Sequence, residues 1–376
     1  MKRRNLLLAA SMGAGVSVWP LAASRAAAPR VVSFGQSASL SGGQASYGRD
    51  VQNGIAAAFA AANANEAATG VRFELQTLDD GGVRSRCMKN VMQLVEAGSV
   101  GVIGLTSGAG AEACMPVIED AQIAMLGTAS GNMGIRGANV SGAFHVRAGY
   151  DAEYKRMVGY VKDFGMQRIG VVYLNDTSKA NLEAMNVALS SLAIQPKVSI
   201  GIDRNAASFE GVANELLAAR LDCVLFTANA APVAKIIDHL VRGKFAGLFY
   251  ASSFAGQDLI DTLTARKQSC VMSMVVPRPT AMGVNVVAQC QRDLAQLNNG
   301  ARLGITTLEG YISGRIAVEA TLAAAKVGTP SRARLKESLA GLRSDLGGYK
   351  VEFAGSTHGS RYVDLIAIDR YGRLVG

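Results

Sequence analysis

Three short loops concentrate the small polar residues of this chain: SASLSGGQASYGRD at 37–50, LTSGAG at 105–110 and GTASGN at 127–132. Each follows an apolar, strand-like run, and the first two lead into helical runs. Amides at a helix start have no partner within the helix, and hydroxyls add further donors, so such loops can receive an anion. The same residue types also cap helices and make turns. One loop alone is therefore ambiguous, whereas three converging on one sheet edge favour a site. Nucleotide phosphate is a poor fit. Gly43 and Gly48 keep the P-loop spacing, but Arg49 and Asp50 stand where Lys and Ser/Thr must reach phosphate and magnesium. The dinucleotide fingerprint fails at Gln44, where its second Gly would let the backbone approach a pyrophosphate. A carboxylate suits the remaining chemistry.

Catalytic arrangements are missing from the sequence. There is no GxSxG elbow and no HExxH, and His145, His239 and His358 are too scattered for a metal site. Asp79 and Asp80 end a strand, where Asp caps the following helix more often than it does acid or base work. The reading is a binding protein without cofactor, metal or enzymatic step. Five cysteines, Cys87, Cys114, Cys223, Cys270 and Cys290, leave at least one thiol unpaired and match no CxxC or zinc spacing. A Cys87–Cys114 disulfide between two helices and buried free thiols are both open readings.

The elements that must position these loops come next. Residues 1–28 begin with Lys2, Arg3 and Arg4, continue through a short Gly-interrupted apolar stretch, and end in small residues before Pro29. This is the pattern of an export signal, with cleavage expected near Ala26, and the doubled arginine also allows the twin-arginine route. Loss of Lys2, Arg3, Arg4 and Arg25 lowers the formal charge from +9 by four, to about +5. Without a Lys/Arg run, that charge gives no support for nucleic-acid binding. The length of 376 residues suits two domains. Short apolar runs alternate with amphipathic ones as far as 144–150 (FHVRAGY), and the pattern then begins again. The tail is mostly helical and closes with YKVEF and RYVDLIAI, followed by the turn DRYGR. The expected fold class is α/β, with two doubly wound parallel-sheet (Rossmann-like) lobes and loops at the carboxyl ends of the strands facing a common cleft.

Four stretches, LSGGQASYGRDVQNGI, LQTLDDGG, VGVIGLTSGAGAEACMPVIEDAQIAML and TTLEGYISGRIAVEA, carry a family resemblance, and the terminal DLGGYKVEF with RYVDLIAIDRYG looks like that family's closing hairpin. The chain resembles the type I periplasmic solute-binding proteins of ABC importers, in the leucine/isoleucine/valine-binding group. That resemblance implies a hinge between discontinuous lobes, 29–147 plus 279–342 and 148–278 plus 343–376, which close on a ligand. Residue by residue, it implies ligand contacts at Tyr47, at Thr106, Ser107 and Gly108, and at Ala129, Ser130 and Gly131. Tyr150 would cover the apolar body of the solute, and Asn229 and Ser253 would complete the pocket from the second lobe. Where amino-acid binders of the group place a Glu against the ligand ammonium, LFYASSFAGQD reads Ser252 and Ser253, with no acid before Asp258. A buried ammonium without a counter-charge is costly. The implied function is periplasmic capture of an amino acid or related carboxylate solute for an ABC permease and ATPase. The alternative is a ligand-sensing module acting through a separate membrane sensor.

Overall fold

The computed structural model describes residues 29–137 and 140–376. The export segment read from residues 1–28 lies outside the described residues. The first sheet unit runs β1 (Arg30–Ala38), α1 (Ala45–Asn63), α2 (Glu66–Thr69), β2 (Val71–Asp79), α3 (Arg84–Glu96), β3 (Gly101–Ile103), α4 (Gly108–Asp120), β4 (Ala124–Leu126) and β5 (Ala143–Phe144). Its strands lie in the order β2-β1-β3-β4-β5 and every pair is parallel. The last five residues of β1 are all buried, as expected where helices cover both faces of a parallel sheet.

The second unit runs α5 (Tyr150–Asp163), β6 (Ile169–Leu174), α6 (Lys179–Ser190), β7 (Val198–Ile202), α7 (Glu210–Ala218), β8 (Cys223–Thr227), α8 (Ala230–Arg242), β9 (Leu248–Ala251), α9 (Gly256–Ala265) and β10 (Cys270–Met274). Its parallel strands repeat the order of the first sheet, β7-β6-β8-β9-β10. Both sheets therefore reverse direction of growth after their first strand. Ligand crevices form at such switch points, because neighbouring loops part there in opposite directions.

The tail comprises α10 (Asn285–Gln296), α11 (Ile305–Val327), α12 (Arg332–Ala340), β11 (Arg343–Asp345), β12 (Lys350–Glu352), β13 (Asp364–Ile368) and β14 (Leu374–Val375). Here the pairing differs from the sequence reading. The YKVEF strand, β12, pairs with β11, while β13 adds antiparallel to β10 and is followed by β14. Chain 343–376 thus divides. β13 and β14 complete the second sheet; the β11–β12 segment is tied to the start of α10 by the Val286 N–H to the Gly347 carbonyl, and to β5 by His145 with His358. Helix α11 lies on α1 with the backbones in contact. A Cβ at Gly54 would overlap the Thr307 carbonyl, and one at Gly310 would overlap Val51. This close approach seats α11 so that Thr306 meets Gln257 and Glu309 meets Arg147.

Cys87 and Cys114 face each other between α3 and α4 as thiols, Sγ to Sγ 3.9 Å, and all five cysteines are buried and unpaired. Among the described residues, no helix is long and apolar enough to cross a membrane. No group of metal-ligating side chains forms among them either.

Candidate functional site

A small cavity of about 40 Å³ sits where the two sheets present the carboxyl ends of their strands to each other. From the first sheet come Gln44 after β1, Ser107, Gly108 and Ala109 after β3, and Ser130 and Asn132 after β4. From the second come Leu174, Asp176, Thr177 and Ser178 after β6, Arg204 after β7, Thr227 at the end of β8 and Phe254 after β9, with Tyr150 and Tyr154 from α5 closing one side. Direct bonds join the lobes around this space. The Met133 N–H donates to Asn181 Oδ1 at 2.7 Å, the Gln257 N–H to Thr306 Oγ1 at 3.1 Å, and Ser178 Oγ to Glu112 Oε1 at 3.4 Å. The structure therefore has the cleft closed.

The hydroxyl loops are built as their sequences suggest. Ser107 is the N-cap of α4, its Oγ accepting the Gly110 N–H at 3.0 Å, so its own O–H remains free to donate into the cavity. Ser130 Oγ accepts the Asn132 N–H at 3.2 Å and lies 3.3 Å from the Tyr150 hydroxyl. Burial pushes the Tyr150 phenol up to about 12, which keeps it a neutral O–H. Its ring stacks on Tyr154 with centroids 5.5 Å apart, and Phe254 meets it edge-on.

Of the ten residues carried over from the family resemblance, Ser107, Gly108, Ser130 and Tyr150 line the cavity. Four others stand behind the first-lobe wall. Thr106 Oγ1 accepts the Ser39 N–H, the Tyr47 hydroxyl donates to the Ala129 carbonyl at 2.8 Å, and the Gly131 carbonyl accepts the Tyr150 N–H. Asn229 and Ser253 are buried in the second lobe and do not line the cavity. Asn229 opens α8, and its Oδ1 has no partner.

Ser253 belongs instead to a charged centre that the sequence reading missed. Arg147, fully buried, directs its guanidinium to Glu153 of α5, to Glu309 of α11 at 3.2 Å and to Ser253 Oγ at 2.7 Å. Glu153 in turn accepts from the Ser253 N–H at 3.0 Å and from Ser273 Oγ at 2.5 Å. Burial works against the Arg147 charge, but Glu309 and Glu153 more than compensate and hold its pKa above the usual value. Burial also raises Glu309, against the pull of Arg147. Nearby Arg136 donates to the Arg147 and Ser130 carbonyls, and burial together with the Arg147 charge lowers it to about 9. Two signals could have found this centre: Arg147 is the lone charge in FHVRAGY, and Glu309 sits in a helix that is otherwise buried nearly all round.

Two sheets of one topology, facing each other at their switch points across a partly open cavity lined by hydroxyl, charged and aromatic side chains, have the architecture of a two-lobed binding protein. The chain belongs to the periplasmic binding protein family, whose profile matches residues 31–361. The resemblance read from the four motifs and the α/β two-lobed fold both stand. No curated protein sequence matches the chain. Among solved structures, it is similar to a possible leucine/isoleucine/valine-binding protein from Rhodopirellula baltica, with 24% identity, 94% of this chain and 98% of that one covered, and a TM-score of 0.86. It is similar also to a branched-chain amino acid ABC transporter protein from Thermus thermophilus with bound valine, with 15% identity, 92% and 95% covered, and a TM-score of 0.84. A fatty acid ABC transporter substrate-binding protein from Thermomonospora curvata matches with 15% identity, 92% and 91% covered, and a TM-score of 0.82. At these identities the likeness is one of fold.

Proposed function

We propose that this protein is an exported periplasmic receptor that captures a small carboxylate-bearing solute between its lobes and delivers it to an ABC permease and ATPase. The cavity between the two switch points carries this reading: donors from Ser107, the first turn of α4 and Ser130 meet there, opposite an aromatic wall. The valine and fatty acid of the similar proteins both carry a carboxylate, which supports the class of solute. In this reading Thr106, Ala129, Gly131 and Tyr47 hold the first-lobe wall in shape. Asn229 and Ser253 do the same for the second lobe, and no chemical step occurs. Export rests on the signal-like residues 1–28, and the lobes 29–147 plus 279–342 and 148–278 plus 343–376, with the β11–β12 segment of that tail lying against the first lobe instead, hinge at their crossings.

The test is thermal stabilisation of solute-free protein by amino acids, short aliphatic acids and aromatic acids. A solute at 100 times its dissociation constant stabilises by about 2.7 kcal/mol, which the assay resolves. Uptake of that solute should then fail in a strain lacking the protein. Absence of any response, together with intact uptake, would remove the receptor reading.

A further inference from the structure

Arg204 and Asp176 are the two charged side chains that line the cavity among the described residues, and they are not equivalent. Arg204 Nη2 donates to Asp176 Oδ1 at 2.8 Å, and Nη1 reaches Gln44 Oε1 at 3.5 Å across the cleft. Its Nε–H is sealed from solvent and has no acceptor in the protein. The Asp176 side chain is 58% exposed against 23% for Arg204, so the carboxylate faces water while the guanidinium faces inward. A buried donor without an acceptor is unfavourable, and a solute oxygen would satisfy it.

An ammonium finds no comparable partner. Glu153 and Glu309 lie deeper, where Arg147 bonds both and Arg136 adds a second positive charge nearby. Glu112 stands behind the lining, where it accepts from Asn132 and Ser178, and Asp176 is already held by Arg204. The hydroxyls of Ser107, Ser130 and Tyr150 can donate to an anion.

We propose that Arg204 is the specificity-determining residue of the cleft, and that the solute it selects is a small carboxylate without an ammonium group, its apolar body lying against Tyr150, Tyr154 and Phe254. This rests on the solute-capture reading above. Arg204 supplies charge from the second lobe, so an amine-free acid also draws the lobes together.

Matched probes test it: 3-phenylpropanoate against phenylalanine, 4-methylpentanoate against leucine, and 3-phenylpropanamide as the uncharged control, each titrated into solute-free protein by calorimetry. The acids should bind about tenfold or more tighter than their amino-acid partners, and Arg204→Gln should weaken acid binding about tenfold or more. Arg204→Lys should fall between, and the amide should bind wild type and R204Q within about twofold of each other. Asp176→Asn, which frees the guanidinium, should tighten acid binding. Equal or tighter binding of the amino acids, unchanged acid affinity in R204Q, or no acid binding at all would each overturn the inference. Mass spectrometry of solute released from freshly purified protein keeps the two readings apart. An amino acid or another amine in the cleft leaves the receptor intact and removes the Arg204 assignment, whereas empty protein that responds to no solute removes both.

Discussion

Arg147 shows how much can depend on one side chain. Its guanidinium bonds two buried carboxylates that come from different helices, and the Ser253 loop is tied to the same point. Removing one partner from such a group leaves uncompensated buried charge, so Arg147→Met should destabilise the protein by about 3–5 kcal/mol in urea unfolding. Adding Glu309→Gln to that variant should recover part of the loss, because one orphaned carboxylate is gone. Ser107 is a second pivotal residue, with two separable roles. Ser107→Ala should lose the α4 cap, about 1 kcal/mol in unfolding, and independently weaken solute binding through its missing O–H. A variant with normal affinity and reduced stability would confine Ser107 to the cap. Ser107 was legible because a hydroxyl between a strand and a helix has a local signature. Arg147 was not, since its importance comes from Glu309, distant in sequence and adjacent in space.

Helices of the two sheet units also meet each other directly. On α1, Asp50 faces Asp258 and Asp261 of α9, and burial first, then these two acids, raises it to about 7 from an ordinary 3.8. The folded closed protein therefore holds a proton on Asp50 over a range where the unfolded chain has released it. Stability from this group is fully present below about pH 4 and is lost as pH rises towards 7, which follows from the excess protons bound in the folded state. Asp50→Asn should remove the penalty and raise stability at pH 8 by about 1–2 kcal/mol, while changing little at pH 4.5. Thermal melts at the two pH values check this; an equal gain at both would assign the effect to packing instead. The helices and parallel strands themselves were readable, because hydrophobic runs of strand length alternate with helical periods. The strand β11 was not, since RSD has neither alternation nor apolar character and pairs only because β12 lies beside it.

The whole molecule is two copies of one sheet topology held shut by contacts between lobes, with a cavity of about 40 Å³ between them. In the capture reading proposed above, a space so small requires solute to enter an open form and closure then to bury it. Small-angle scattering should show a more extended molecule without solute and a more compact one with a saturating solute; identical profiles would argue for a rigid cavity. The sequence by itself determined the alternation of strands and helices, the repeat of the α/β unit and the hydroxyl loops after β3 and β4, because each is encoded in neighbouring residues. Only the tertiary structure decided that Tyr47 turns its hydroxyl to Ala129, that Ser253 serves Arg147, and that Arg204 and Asp176 meet at the cleft. Those outcomes depend on side chains that are tens to hundreds of residues apart, whose burial and charge acquire a partner only when the two lobes come together.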